Sequence, residues 1–128
     1  MRKILVADDE ADLEILIRQK FRQKIREQQY EFVFAINGQD ALEKMQLHPD
    51  VSIVLSDINM PEMDGLTVLE NLRAQDKTSR LPVILITGEA DAKSIARGRA
   101  LGAQDYLCKP YKIAELMTRI DRCLLACT

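Results

Sequence analysis

The strongest constraint on this chain is a fivefold alternation of short apolar runs with helix-spaced apolar stripes. Lys3–Asp8 (KILVAD) is a nearly continuous apolar run, as expected of a strand buried on both faces. Leu13, Leu16, Ile17, Phe21 and Ile25 follow, spaced as one helical stripe. Tyr30–Ile36 is a second strand, broken by Asn37-Gly38, and Ala41, Leu42 and Met45 mark a short helix closed by His48-Pro49. Ser52–Asp57 is a third strand; Leu66, Val68, Leu69 and Leu72 form the next helix, with Asp64 placed to cap it. Leu81–Thr87 is a fourth strand, and Ile95, Ala96 and Leu101 mark a helix ended by Gly102. Asp105–Pro110 is a short fifth strand before a last helix lined by Ile113, Leu116, Met117, Ile120 and Leu124.

Regular strand–helix alternation predicts a parallel sheet with helices on both faces. With 128 residues the chain is about half as long as a closed eightfold barrel of roughly 250 residues. What remains is an α/β fold of flavodoxin-like (βα)5 type: an open, doubly wound five-stranded parallel sheet with strand order 2-1-3-4-5. Residues 1–128 are expected to be a single domain. The 18 basic and 20 acidic residues give a net charge of −2, which supplies no bulk attraction to nucleic acid or an anionic membrane. No apolar run approaches the ~20 residues of a membrane span, and Ile4–Ala7 is too short for a signal peptide core. A cytoplasmic protein is expected. Cys108, Cys123 and Cys127 make an odd set without a CxxC pair and are read as apolar fillers or surface thiols rather than a disulfide or metal framework.

In such a sheet the ligand sits beyond the carboxyl ends of the strands, where the strand order reverses. Strand one ends in Asp8, Asp9 and Glu10, strand three in Asp57, strand four in Thr87-Gly88-Glu89 and strand five in Lys109-Pro110. At least three carboxylates therefore converge. Two like charges ~4 Å apart repel by about 4 kcal/mol at an effective dielectric of 20, so the cluster must shift its protonation or bind a cation. All-oxygen ligands in a half-open site favour Mg²⁺. His48, the one histidine, is placed far from the crevice. A divalent cation, the Lys109 ammonium and the Thr87 hydroxyl around Asp57 make a place for a phosphoryl group, with Asp57 as nucleophile and the Asn59 backbone carbonyl turned toward the metal. Each piece alone is common; the joint arrangement at four strand ends carries the reading.

The stretches ILVADDE, LSDINMPEMDG, VILITGE and GAQDYLCKPY resemble the receiver domain of two-component response regulators, from Lys3 to about Leu124, and in spacing the chain is similar to the single-domain, CheY-like chemotaxis regulators. The resemblance implies that Asp57 is the phosphoacceptor, served by a histidine kinase or phosphotransfer protein. It implies that Asp9, Asp57 and the Asn59 carbonyl ligate Mg²⁺ (Mn²⁺ substituting), with Asp8 acting through water. Thr87 and Tyr106 match the family's switch pair, which reshapes the surface of the fourth helix, fifth strand and fifth helix for a downstream effector. Lys109 and Pro110 match a cis peptide that aims the lysine, and Asn59 and Glu89 occupy positions that tune acyl-phosphate lifetime. Gly88 stands where the family often has alanine or another small residue.

The corresponding expectations are a signalling module that catalyses only its own phosphorylation and dephosphorylation, without direct nucleic-acid or membrane binding, monomeric or weakly dimeric, and with no output domain in the chain. Arg18, Lys20, Arg22, Lys24 and Arg26 spread around the first helix among Glu14 and Glu27, as a solvated face does. Two other readings compete. An aspartyl-phosphate phosphohydrolase shares the nucleophile and metal but usually carries a second aspartate two residues on, where this chain has Asn59. A constitutive interaction module would not need the intact acidic set.

Overall fold

The computed structural model describes residues 2–60, 63–88 and 92–126. Five strands, β1 (Arg2–Ala7), β2 (Tyr30–Ala35), β3 (Ile53–Asp57), β4 (Val83–Thr87) and β5 (Asp105–Cys108), form one parallel sheet in the order β2-β1-β3-β4-β5. Six helices connect and follow them: α1 (Ala11–Lys20), α2 (Arg22–Arg26), α3 (Gly38–Leu47), α4 (Gly65–Arg73), α5 (Ala92–Ala100) and α6 (Ile113–Ala126). The expected doubly wound architecture and strand order are both present.

Strand alternation divides the core. Ile4, Val6, Ile53, Leu55, Ile84 and Ile86 face one side, packed with Leu13 and Ile17 of α1 and Leu116 and Ile120 of α6. Leu5, Val54, Val83 and Leu85 face the other, under Ala41 and Met45 of α3 and Leu66, Leu69 and Leu72 of α4. Burial on both faces is why the central strands β1, β3 and β4 read as apolar runs. The Asp64 carboxylate accepts from the Thr67 N–H at 2.8 Å, capping α4 as expected, and Asn37 does the same for α3 through the Asp40 N–H at 2.7 Å.

Three expectations need correction. The first helix is not one rod: it is divided at Phe21 (φ −98°, ψ 8°). The hydrogen-bond ladder continues through the bend, from the Phe21 N–H to Ile17 O and from the Ile25 N–H to Phe21 O, both 2.9 Å. The bend seats the fully buried Phe21 ring against Phe32 and Tyr30. Leu16, assigned to the buried stripe, is exposed, because at 100° per residue it stands 60° from Leu13 and 100° from Ile17, on the flank away from the buried pair. In the helix read from Ile95, Ala96 and Leu101, Ala96 is exposed and the buried residue is Gly98.

Candidate phosphoacceptor site

Asp57 is the last residue of β3, and all five residues of that strand are buried. A carboxylate only 2% exposed needs partners. The Asn59 N–H donates to Asp57 Oδ1 at 3.0 Å, and Lys109 Nζ donates to Oδ2 at 2.9 Å. Beneath them the Ser56 hydroxyl donates to the Asp57 carbonyl at 3.2 Å. After β3, the Gly65 N–H donates to Ile58 O at 3.0 Å. A Cβ on Gly65 would stand 2.3 Å from Asp57 O, so only glycine lets α4 start this close to the acid.

Strand β1 brings Asp8 and Asp9 to the same rim. Carboxylate oxygens of Asp8, Asp9 and Asp57 all lie within 4.8 Å of one another. Asp8 Oδ1 accepts from the Glu10 N–H at 2.8 Å, while Asp8 Oδ2 is buried with no hydrogen-bond partner among the described residues. Burial, only partly offset by that N–H and by Lys109, pushes the Asp8 carboxyl up to about 6. Lys109 also reaches Glu10 Oε1 at 3.1 Å and lies 3.9 Å from Asp8 Oδ2. Burial alone would lower its pKa; the hydrogen bonds to Asp57 and Glu10 outweigh that and hold it well above the ordinary ammonium range. The Lys109–Pro110 peptide bond is cis. Nearby, burial first and the Asp8 charge second raise the Tyr111 hydroxyl to about 12.

Thr87 is buried at the end of β4, and its carbonyl accepts the Lys109 N–H at 2.7 Å, tying the fourth and fifth strand ends together. Tyr106 is half-buried on β5, its hydroxyl donating to Ile95 O at 3.0 Å. The structure thus gathers Asp8, Asp9, Asp57 and Lys109 at one rim. Glu89 and Cys127 lie outside the described residues. His48 contacts Lys3 at 3.3 Å, at the far end of the sheet. Cys123 is buried as a filler, and Cys108 is exposed. Of the basic residues on the first helices, Arg18 pairs with Glu14 and Lys24 with Asp121. Glu10 as a direct partner of Lys109 is the contact that sequence reasoning missed. Its place among the strand-end acids was visible, but the reach of a lysine 99 residues away was not.

An open parallel sheet with a buried aspartate, further acids and a lysine at its switch point defines an α/β domain built around an acidic, cation-ready pocket. Comparison with known proteins then gives the family. Residues 4–121 match the response regulator receiver domain, and the chain belongs to that family: it is a receiver domain of the two-component type, a signalling module. It is 41% identical over 120 residues to the probable transcriptional regulator ycf27 of Cyanophora paradoxa, covering 93% of this chain and 46% of that protein. It is 37% identical over 125 residues to the regulatory protein AtoC of Escherichia coli, covering 97% and 25%. It is 34% identical over 122 residues to the transcriptional regulatory protein PdtaR of Mycobacterium tuberculosis, covering 94% and 55%. The chain therefore spans between a quarter and just over half of these relatives. Among solved structures, the Francisella response regulator 1452 receiver domain superposes with a TM-score of 0.84 at 28% identity, over 100% of both chains. Chemotaxis protein CheY4 of Vibrio cholerae superposes with 0.80 at 30% identity, over 96% of this chain and 98% of that one. Among the described residues, no helix is long and apolar enough to cross a membrane.

Proposed function

We propose that Asp57 accepts a phosphoryl group from a histidine kinase or phosphotransfer protein and that the resulting charge switches the α5–β5–α6 surface for a downstream effector. The observation that carries this is the 2.9 Å contact of Lys109 Nζ with Asp57 Oδ2 beside the acids Asp8 and Asp9. In the step, an Asp57 carboxylate oxygen attacks phosphorus, the donor's P–N bond breaks, and the electron pair leaves with the imidazole. Lys109 is placed to follow the charge from the carboxylate to the phosphoryl oxygens, and the Asn59 N–H holds the carboxylate in orientation.

The buried Asp8 Oδ2, without a hydrogen-bond partner among the described residues, and the all-oxygen donor set fit a hard divalent cation. Asp9, Asp57 and the Asn59 carbonyl would hold Mg²⁺ or Mn²⁺, with Asp8 acting through water. Such a cation, when bound, supplies charge neutralisation at the phosphoryl oxygens. Thr87 is the residue to follow the phosphoryl group by its hydroxyl, with Tyr106 answering on β5; Asn59 and Glu89 are the positions expected to set the lifetime of the acyl phosphate.

Incubation with Mg²⁺ and acetyl phosphate should add one phosphoryl group by intact-mass measurement, and Asp57→Asn should abolish it. Undiminished labelling of the Asp57→Asn protein would reject the assignment.

A further inference from the structure

Glycine is the poorest helix former after proline, yet Gly98 sits inside α5 and is that helix's buried residue. The reason lies in what a side chain there would meet. A Cβ on Gly98 would stand 2.6 Å from Leu85 Cδ1, 3.0 Å from Tyr106 Oη and 3.2 Å from Tyr106 Cε1. Leu85 and Tyr106 are cross-strand partners on β4 and β5. The phenol ring therefore lies against the bare backbone of α5, and its hydroxyl bonds Ile95 O at 3.0 Å, one turn back along the helix. A carbonyl oxygen has two lone pairs, so Ile95 can serve the hydroxyl without giving up its place in the helix. The Arg99 guanidinium lies over the ring, 5.5 Å from its centroid.

We infer that Gly98 is a positioning residue for the switch: the missing side chain makes the seat that holds Tyr106 against α5 in the resting state. This rests on the reading of Thr87 and Tyr106 as the switch pair. A methyl group at position 98 requires Leu85 or the tyrosine to move. The Leu85 methyl at 2.6 Å must turn aside whatever the ring does, and the ring at 3.0–3.2 Å must yield by a few tenths of an ångström; Leu85 is fully buried, whereas Tyr106 is half-buried, so the ring has the freer path away from α5. Filling the seat disfavours the resting position and leaves every residue of the acidic rim unchanged. A ligand that selects the switched state then binds more tightly, because less of the population must be drawn out of the resting state.

The test uses the full chain labelled with 3-fluorotyrosine, with the Tyr106 resonance identified by its loss in Tyr106→Phe. Gly98→Ala is made alone and together with Leu85→Val, which removes the Cδ1 contact and isolates the clash with the ring. Without any phosphoryl donor, the Tyr106 resonance should move in both Gly98→Ala proteins relative to their parents, while those of Tyr30 and Tyr111 stay in place. Affinity for beryllofluoride with Mg²⁺ should rise about threefold or more. Tyr106→Phe, which loses the Ile95 bond and adds no bulk, should raise that affinity in the same direction and keeps the idea testable if the alanine variants fold poorly. A Tyr106 resonance unmoved in Leu85→Val/Gly98→Ala overturns the inference, as does a moved resonance with unchanged beryllofluoride affinity. A wild-type protein whose Tyr106 ignores beryllofluoride would instead overturn the switch reading beneath it, and the donor-free spectra would still judge the seat.

Discussion

Asp57 and Lys109 meet across a strand that separates them: β4 runs between β3, which ends in Asp57, and β5, which Lys109 directly follows, yet Lys109 Nζ lies 2.9 Å from Asp57 Oδ2. The lysine bridges the sheet because it is the cation facing Asp57, Glu10 and Asp8 together. Removing it should leave the acids repelling one another at low dielectric. Lys109→Met is expected to lower stability by about 1–3 kcal/mol in the presence of EDTA, less than a fully buried pair because the lysine side chain is 25% exposed. Asp57→Asn in the Lys109→Met background should recover part of that loss. Urea unfolding of the four proteins of this double-mutant cycle measures the coupling, and additive effects would show that the contact carries no net energy.

The Asp8 carboxyl gives a pH dependence of defined sign. Its folded value is raised to about 6 by burial, against about 3.9 for the unfolded chain. Between these values the native state binds more protons than the unfolded one, so stability falls as pH rises from about 4 to about 6 and levels off above. The loss assigned to Asp8 is at most about 3 kcal/mol. Asp8→Asn should flatten this part of the profile in EDTA and be more stable than wild type at pH 7. Saturating Mg²⁺ should also restore wild-type stability at pH 7, by mass action on the folded state. A wild-type profile in EDTA that matches Asp8→Asn from pH 4 to 7 would contradict the burial argument.

Most of the sheet was legible because each central strand is buried on both faces, leaving apolar runs such as Ile53–Leu55 and Val83–Ile86. The rim was legible for a related reason: the strand order fixes which ends meet, and that order brings Asp8, Asp9, Asp57 and Lys109 together. The bend at Phe21 was not legible, because the apolar spacing from Leu13 to Ile25 is the same for a straight helix. It follows from where one aromatic ring must go. Nor was the exposure of Leu16, since periodicity gives a stripe but not its edges. Gly98 drew no reading from the sequence; only the neighbouring Tyr106 and Leu85 show why it stands there.

The Phe21 bend makes its own prediction. The ring is fully buried, 4.9 Å between centroids from Phe32 and 5.9 Å from Tyr30. Phe21→Ala should cost about 3–5 kcal/mol through lost burial and the cavity left behind. Phe21→Leu, which keeps much of the volume, should cost less than half of that. Because the bend serves the ring and not the ladder, amide exchange in Phe21→Ala should accelerate in Arg22–Arg26 more than in the first turns of α1. Uniform acceleration through both helices would show that the bend has another cause.

Arg73 closes the opposite end of the molecule and offers the sharpest contrast between arginine and lysine. From the last residue of α4, Nε donates to Leu101 O at 2.8 Å, Nη2 to Gly102 O at 3.0 Å and Nη1 to Thr78 O at 3.2 Å. Its burial disfavours the charged form and lowers its pKa, so the three carbonyls must compensate the desolvated cation. The Leu101 and Gly102 carbonyls follow the end of α5, where a cation is also favoured by the helix dipole. Arg73→Ala should cost about 1–3 kcal/mol. Arg73→Lys should recover less than half, because an ammonium is a compact charge that cannot reproduce the planar fork. Hydrogen exchange should locate the effect where the fork is lost, at the amides of Leu101–Ala103 and around Thr78. A lysine variant as stable as wild type would show that charge alone, and not the geometry of the guanidinium, joins these two helix ends.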